Sequence, residues 1–516
     1  MRMTAARSVP LPVVSRVGDR YVAMAGTFAI FAIAFAVRLH GLDFKPYWMD
    51  EITTIRRASQ PFPTLVSDSL TFHHLPTYFF LISWLVPFGV GETLLRLPSA
   101  LCGALTCSVA TGIGRAVAGA PAGLLAGLFL AFSPLQVNFG QEARPPALVV
   151  LLIALALHGL VELALDPKAA SLPLRDAGAS RRAWTTYFFA TLAAANVLGA
   201  ALLWVLAAWL AMLFVARHRD ANRTQFLRNS ALVHGVIAIL TIPGYVAMFF
   251  FVQAYGRLLT GLDWILPVTL QRVGEDIASV YLLQISSPIS SRVFPGAVPF
   301  ISLVVAAFTA LGLLYLLRKR TVLAVLVLGV AVPPLALLAI SILLPMWQPR
   351  YLLWSAVPFF VVSGLGIALL PRRMQVPIAA VVGALAFVNL TPYYQIEAKP
   401  RWDLAAASLQ PGIENHDLVL VADVWVPRMM NVYLSRSGVV LPDSQWTSDV
   451  DVAMTRLAEH GRVWAVFGRV GQVDREDLDS FLHRISRLGS PAAEMRAGLD
   501  VMVLLFDAQA SSAAPQ

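Results

Sequence analysis

The stretch Tyr47-Trp48-Met49-Asp50-Glu51-Ile52 places two adjacent carboxylates directly after the first long apolar segment of the chain. Carboxylates beside a membrane are costly to keep unless they bind a ligand or take part in chemistry. Tyr47 and Trp48 have the amphipathic rings that suit the interface. One carboxylate could act as a general base on an acceptor hydroxyl while its neighbour orients it or holds a cation. The alternative interpretation is a solvated pair that caps a helix beginning near Ile52.

Composition indicates a polytopic membrane protein. Of 516 residues, 58% are hydrophobic and 13% charged, and apolar runs of spanning length recur. The formal charge of +9 does not indicate nucleic-acid binding, because the basic residues form short clusters between apolar runs, as topology signals do. Cys102 and Cys107 lie five apart in one apolar helix and should face different sides, which argues against a disulfide or a metal site and predicts packing roles.

The topology depends on the stretch Leu75–Val90, which is about as long as a short span but contains Pro76, Pro87 and Gly89. If it crossed the membrane, every later basic cluster would need an extra span to reach the cytoplasmic side. If it lies in the outer leaflet, all of them are cytoplasmic, as the positive-inside rule requires. We therefore predict a leaflet helix here, an uncleaved first span and a cytoplasmic amino terminus. The clusters are Arg115; Lys168, Arg175, Arg181 and Arg182; Arg217, Arg219, Arg223 and Arg228; Arg318-Lys319-Arg320; and Arg372-Arg373.

This register predicts a polytopic α-helical membrane domain over residues 1–392, with eleven spans and a first external loop over residues 43–93. After Pro392 the apolar runs shorten to strand length, as in 418–422, 463–467 and 501–506. A small α/β domain is therefore predicted over residues 393–516, on the periplasmic side. The predicted spans are 22–42, 94–114, 120–137, 146–165, a pair within 184–216, 230–252, 298–317, 321–343, 351–370 and 374–392.

Two further external turns carry charge at the predicted membrane edge. Gln141-Glu142-Ala143-Arg144 lies in a short turn, where charged side chains should face a cavity rather than lipid. Trp347-Gln348-Pro349-Arg350-Tyr351 places another guanidinium at the start of a predicted helix. Arginine can bind two phosphate oxygens, and helix amino ends favour anions. The alternative for Arg144 is an ion pair with Glu142 or with a lipid headgroup.

The order of these motifs resembles the GT-C glycosyltransferases of the protein O-mannosyltransferase and aminoarabinose transferase type. No single motif is specific, but together they follow one order and share the outer face. The motifs are the Asp50-Glu51 pair, His74-Leu75-Pro76-Thr77-Tyr78-Phe79, Leu95-Arg96-Leu97-Pro98-Ser99-Ala100-Leu101, Ser133-Pro134, Gln141-Glu142-Ala143-Arg144-Pro145, Pro349-Arg350-Tyr351 and Arg401-Trp402-Asp403-Leu404-Ala405-Ala406.

The resemblance implies a GT-C-like fold and a role for Asp50 as the base or the acceptor-positioning group, with Glu51 in support. It implies donor phosphate binding by Arg350 and by Arg144. An interfacial histidine such as His74, taken alone, is more often structural. The family often has two prolines where this chain has Leu75-Pro76, and this departure leaves the shape of the pocket and the identity of the sugar open. The pocket is predicted to include His74, Tyr78, Glu142, Trp347 and Tyr351.

These observations predict an inverting glycosyltransferase of the inner membrane that takes a sugar from a polyprenyl-phosphate carrier. A glycan, a lipid or a protein would be the acceptor. No nucleotide-binding loop is apparent, which agrees with a lipid donor, and a divalent cation beside the acids stays open. The alternatives are a lipid or polysaccharide transporter, for which charges at the midplane or inverted pairs of broken helices would be expected, and a noncatalytic subunit of an envelope assembly.

Overall fold

A computed structural model describes most of the chain. The described residues are 17–166, 178–218, 223–256, 265, 267–285, 298–395, 399–414, 417–423, 425–459, 461–468, 475–497 and 501–507. Of the basic residues used for topology, Lys168, Arg175 and Arg219 lie outside these ranges.

The segment predicted as the first external loop, residues 43–93, is largely helical. Helix α1 (Val17–Leu39) is followed by α2 (Met49–Ala58), α3 (Phe62–Thr71), α4 (Thr77–Ser83) and a 3-10 turn at Val86–Phe88. The apolar helical stretch Thr77–Phe88 is about 18 Å long at ~1.5 Å per residue, whereas a bilayer core is ~30 Å thick. The stretch is therefore too short to cross a membrane by itself, and its position in the outer leaflet stays a prediction.

The structure contains helices at all eleven predicted span positions. Six of the described helices are long and apolar enough to span by themselves, or seven if the bent pair α6 and α7 forms one span. The count of eleven therefore stays a prediction. After α4 the helices are α5 (Glu92–Ala118), α6 (Ala120–Ala131), α7 (Pro134–Gly140), α8 (Pro145–Leu165), α9 (Gly178–Val197), α10 (Leu202–Arg217), α11 (Arg223–Ala254), α12 (Leu270–Tyr281), α13 (Val298–Leu316), α14 (Arg320–Leu343), α15 (Ala356–Leu365) and α16 (Arg372–Leu390).

The predicted span 120–137 is broken, because α6 ends at Ala131 and α7 leaves it at an angle of 65°. Pro134 has no N–H to donate to the Leu130 carbonyl four residues earlier, so the helical hydrogen bond at this point is lost. Arg38 replaces it, since its Nη2 lies 3.3 Å from the Leu130 oxygen. The buried Arg38 side chain thus stabilises the bend that directs residues 141–144 toward α2.

The C-terminal residues form a mixed sheet with helices around it. The three apolar runs predicted as strands form β1 (Leu418–Val421), β3 (Arg462–Gly468) and β5 (Val501–Asp507). Two short or polar strands were not predicted, β2 (Trp446–Thr447) and β4 (Ala493–Ala497), because neither contains an apolar run. The strand order is β2-β1-β3-β5-β4, with β1 parallel to β2 and β3, and β5 antiparallel to β3 and β4. The helices are α17 (Trp402–Leu409), α18 (Val426–Arg436), α19 (Val450–Ala458) and α20 (Arg475–Ile485).

Candidate active site

The acidic pair lies in the first turn of α2, which begins three residues earlier than Ile52. Negative side chains are favourable there because the helix amino end carries partial positive charge. The Glu51 carboxylate also accepts a hydrogen bond from the Trp48 amide at 3.4 Å. The capping interpretation is therefore partly correct, but Glu51 is completely buried rather than solvated.

Glu51 is surrounded by hydrogen-bond donors. Its Oε1 accepts from Arg96 Nε at 2.8 Å and from the Ala143 amide at 3.0 Å. Its Oε2 accepts from Arg96 Nη2 and from Lys399 Nζ, each at 2.9 Å. Burial raises the pKa of Glu51, but the charges of Arg96 and Lys399 outweigh burial and keep the net pKa below its usual range. Glu51 is thus a buried, ionised anchor for α2.

Arg96 connects this anchor to the preceding loop. Its side chain is buried, and Nη1 donates to the carbonyls of Leu42 at 2.8 Å and Lys45 at 2.7 Å, while Nη2 also reaches Pro46 at 3.1 Å. Together with the two bonds to Glu51, these contacts use all five donors of a guanidinium. The sequence contained Arg96 in a family motif but gave no direct sign that it is the partner of Glu51.

Asp50 faces two guanidiniums. Arg350 Nη1 lies 2.6 Å from Asp50 Oδ2, and Arg144 Nη2 lies 3.3 Å from the same oxygen. Arg144 Nη1 also donates to the Asp50 carbonyl at 3.0 Å. Burial raises the pKa of Asp50, but the charges of Arg144 and then Arg350 outweigh that effect and hold the pKa well below its usual range. The structure therefore brings together the three residues that sequence reasoning placed at the centre of the site.

Glu142 is a third carboxylate near the site, and it shares the Lys399 ammonium with Glu51. Its Oε1 accepts from Asn138 at 3.1 Å and lies 3.5 Å from Lys399 Nζ, whereas within the described residues its buried Oε2 has no hydrogen-bond partner. Burial raises the pKa of Glu142 despite the Lys399 charge, and the nearby Glu51 and Asp50 charges add to the increase. Lys399, which sequence reasoning missed, therefore bridges two carboxylates and has no sequence signal beyond its place shortly before a family motif.

Lys45 lies close enough to Glu142 for the two charges to interact. Its Nζ is 3.5 Å from the centre of the Tyr393 ring, and the Tyr393 hydroxyl donates to Gln141 Oε1 at 3.0 Å. Burial, together with the Lys399 charge, lowers the pKa of Lys45 to about 7. Sequence reasoning did not identify this lysine, because a single basic residue in an external loop is usually solvated.

His74 lies close enough to Asp50 and Arg144 for their charges to act on it, and it follows His73, whose φ of 62° lies in the left-handed region. Its Nδ1 is 2.5 Å from the Phe72 carbonyl, and burial lowers the pKa of His74 to about 3, so the ring is uncharged at neutral pH. The buried Tyr78 hydroxyl lies 3.5 Å from Ser99 Oγ on α5.

The two predicted aromatic residues around Arg350 differ in position. The Tyr351 ring lies beside the Arg350 guanidinium, with 5.6 Å between the ring centre and Cζ. Trp347 is completely buried and its Nε1 donates to Asp276 on α12 at 2.8 Å. Trp347 therefore fastens the loop to α12, while Tyr351 covers the guanidinium itself.

The carboxylates of the acidic pair contact protein cations in this arrangement. Among the residues that the structure describes, no group of three or more His, Cys, Asp and Glu side chains is arranged to hold a metal ion. In addition, both oxygens of Glu51 and Oδ2 of Asp50 contact protein cations at 2.6 to 3.3 Å. A divalent cation beside these acids stays a prediction, and we assign no step to it.

One family model matches part of the chain, and several solved structures have a similar fold. Residues 73–175 match the family model described as dolichyl-phosphate-mannose-protein mannosyltransferase. A comparison with curated proteins gave no match.

The similar solved structures cover nearly the whole chain. ArnT from Cupriavidus metallidurans bound to undecaprenyl phosphate has a TM-score of 0.61 at 15% identity, covering 96% of this chain and 100% of that one. Its apo state gives 0.56 at 15% identity, with coverage of 96% and 100%. The apo oligosaccharyltransferase from Archaeoglobus fulgidus gives 0.54 at 12% identity, covering 88% of this chain and 70% of that one. The predicted resemblance is thus confirmed: this chain has the GT-C glycosyltransferase fold.

Proposed function

We propose that the chain is an inverting glycosyltransferase of the inner membrane, which transfers a sugar from a polyprenyl-phosphate donor to an acceptor hydroxyl on the periplasmic side. The observation that carries the proposal is the meeting of Asp50 with Arg144 and Arg350. A glycosyl transfer of this kind needs a group that accepts a proton and cations that stabilise a leaving phosphate.

The charge balance of the site supports a phosphate ligand. Glu51 is already compensated by Arg96 and Lys399. Asp50, which is 27% exposed, faces two guanidiniums, so this side of the site carries excess positive charge. Guanidiniums bind phosphate oxygens through paired, charge-assisted hydrogen bonds.

Donor binding would also change the chemistry of Asp50. With two guanidiniums beside it, Asp50 is a weak base, because these charges lower its pKa. A donor phosphate competes for the same N–H groups of Arg144 and Arg350. Each guanidinium drawn toward the phosphate weakens its hold on Asp50 and raises the basicity of the carboxylate. Phosphate binding and activation of the base are therefore linked in this proposal.

The reaction is a single displacement at the anomeric carbon. The acceptor oxygen forms a bond to that carbon while the bond from the carbon to the phosphate oxygen breaks, and the electron pair stays on the phosphate. The acceptor proton passes to Asp50, and polyprenyl phosphate leaves. Arg144 and Arg350 stabilise the charge that develops on the phosphate, and Glu51 positions the turn that carries Asp50.

A groove between α10 and α11 supports a lipid donor. It has a volume of about 520 Å³, and its lining is mainly apolar, with exposed Ile242, Phe249 and Phe250 among its residues. Its Thr241 accepts a hydrogen bond from Asn196 at 3.0 Å, and the Asn196 carbonyl accepts one from Thr77 at 2.6 Å. Thr77 is three residues from His74. We assign this groove to the part of the polyprenyl chain nearest the phosphate.

The test is turnover of a defined polyprenyl-phosphate sugar by the purified enzyme in liposomes, with the released polyprenyl phosphate and the configuration of the product measured. Asp50→Asn keeps the size of the side chain but removes its charge, so turnover should fall by about 10² to 10⁴, the usual contribution of a general base. Asp43→Asn, which alters an exposed carboxylate of the same loop, serves as the control. Wild-type turnover by Asp50→Asn would exclude Asp50 as the base.

A further inference from the structure

The C-terminal domain contacts the stretch Tyr47–Ile52, here called the acidic segment, on both sides of Asp50. Lys399 approaches from one side, where its buried Nζ lies 2.9 Å from Glu51 and 3.5 Å from Glu142. Helix α18 approaches from the other side through Tyr433 and Arg436. Neither contact involves Asp50 itself, so both act on its position rather than on the reacting atoms.

The contact with α18 is formed by Tyr433. The amide of Tyr47 donates to the Tyr433 hydroxyl at 2.6 Å, and that hydroxyl donates to Glu92 Oε1 at 3.1 Å. Tyr47 is buried, so an unpaired amide at this point would be costly. The Tyr433 hydroxyl therefore holds the backbone three residues before Asp50 and connects it to the start of α5.

Arg436 strengthens the same junction. Its Nη1 donates to both carboxylate oxygens of Glu92, at 2.8 and 2.9 Å, and its Nη2 donates to the Val90 carbonyl at 2.8 Å. The Tyr47 hydroxyl donates to the same carbonyl at 3.1 Å. Helix α18 is thus hydrogen-bonded both to residue 47, at the start of the acidic segment, and to residues 90–92, at the start of α5.

Lys399 contacts the acidic segment nearer its carboxyl end, at Glu51. Glu51 is fully buried and follows Asp50 directly, so a change in its position moves the first turn of α2. Without the Lys399 ammonium, Glu51 keeps Arg96 and the amides of Trp48 and Ala143, whereas within the described part of the chain Glu142 keeps its hydrogen bond from Asn138 alone. Loss of this cation should therefore shift the two carboxylates without removing every partner of Glu51.

We propose that the C-terminal domain is part of the active-site framework, and that Lys399 and Tyr433 are positioning residues that set the place of Asp50 between Arg144 and Arg350. This inference rests on the proposed function for its kinetic consequence, but its structural consequence can be measured without any substrate. Misplacing a reacting group by about 1 Å can cost ~10² in rate.

The first measurement is hydrogen exchange of the full-length protein in detergent, for Lys399→Met and Tyr433→Phe. Peptides that cover residues 47–58 should exchange faster in both variants, while peptides from α5 and α8 keep their protection. The control is Arg496→Met, which alters an exposed arginine on β4 of the same domain, whose ion-pair partner within the described residues is Glu494. Faster exchange throughout the membrane helices would indicate general destabilisation and overturn the proposal, as would unchanged exchange over residues 47–58.

The second measurement is kinetic. In both variants kcat should fall by about 10², with the donor KM within about twofold. Lys399→Arg, which keeps the charge, should recover part of the rate. Because Lys399 acts through Glu51, adding Lys399→Met to Glu51→Gln should cost little more than Glu51→Gln alone. Full activity of both single variants would overturn the positioning roles, whereas inactive wild-type enzyme with the expected exchange pattern would overturn the proposed reaction alone.

Discussion

Asp50 and Glu51 are neighbours in sequence but occupy different environments. Successive residues of an α-helix point about 100° apart, so one side chain of the pair faces the bundle while the other faces the opening of the site. The Glu51 side chain is 0% exposed and the Asp50 side chain is 27% exposed. This difference separates the two roles, since a buried carboxylate with every oxygen occupied suits an anchor and a partly exposed one can meet a substrate.

Arg350 provides the residue-level prediction for the donor. Arg350→Lys should weaken donor use because an ammonium lacks the fork that matches two phosphate oxygens. Arg350→Ala should reduce turnover as well as apparent donor affinity, because the leaving phosphate gains charge in the transition state. Steady-state kinetics at varied donor and acceptor concentrations measure both effects. If Arg350→Ala altered only the acceptor dependence, the phosphate assignment would pass to Arg144.

At the level of elements, the groove between α10 and α11 predicts how the lipid part of the donor is recognised. Ala238→Trp should fill the groove and raise the donor KM by at least ~10-fold, equivalent to about 1.4 kcal/mol of lost binding. The kcat should stay within about twofold, because the tail contributes equally to the bound substrate and the transition state. Leu232→Trp, on the exposed face of α11 outside the groove, is the matched control. A donor KM equal in both variants would contradict the assignment.

Asp276 on α12 should make the stability of the folded protein depend on pH. Asp276 accepts from Trp347 at 2.8 Å, and burial raises the pKa of Asp276 to about 6. The folded protein therefore binds this proton more strongly than the unfolded chain, so the Asp276 contribution to stability decreases as the pH rises from about 4 to about 6. Asp276→Asn keeps an acceptor for Trp347 without a charge. The variant should match wild type near pH 4 and exceed its unfolding free energy by up to about 3 kcal/mol near pH 7.

Thermal unfolding in detergent, followed at several pH values, measures this difference. Asp43→Asn is the control, because Asp43 is exposed and its charge is not among those that shift the pKa of Asp276. The difference in unfolding temperature between Asp276→Asn and wild type should grow between about pH 4 and pH 6 and then level off. A difference that does not change with pH would show that Asp276 does not titrate in this window.

At the scale of the whole molecule, the topology predicts which surfaces face the outside. In a background with Cys102→Ala and Cys107→Ala, single cysteines at the exposed positions Ser59, Gly91 and Val440 should react with an impermeant thiol reagent added to intact spheroplasts. A cysteine at the exposed Arg318 should react only after permeabilisation. Reaction at Arg318 together with protection at Gly91 and Val440 would reverse the orientation.

The membrane character, the apolar helices, the strands β1, β3 and β5 and the short helix at Thr77–Phe88 all follow from local patterns in the chain. Apolar length and periodicity act over a few residues, so the sequence alone carries them. The break at Ser133-Pro134 follows from proline chemistry, but its stabilisation by Arg38 does not.

The partners of the acidic pair were decided by packing. Arg350 is 300 positions from Asp50, and Lys399 is 348 positions from Glu51. No periodicity connects residues so far apart, and single basic residues near a membrane edge usually indicate topology. The assignment of Arg350 and Arg144 to one site came from a family resemblance, whereas the roles of Arg96, Lys399 and Tyr433 emerged only when the helices and the C-terminal domain came together. These residues are of types that usually lie on the surface. In the folded protein they are buried beside specific partners, because a charge removed from water needs a counterion or a hydrogen-bond partner within the fold.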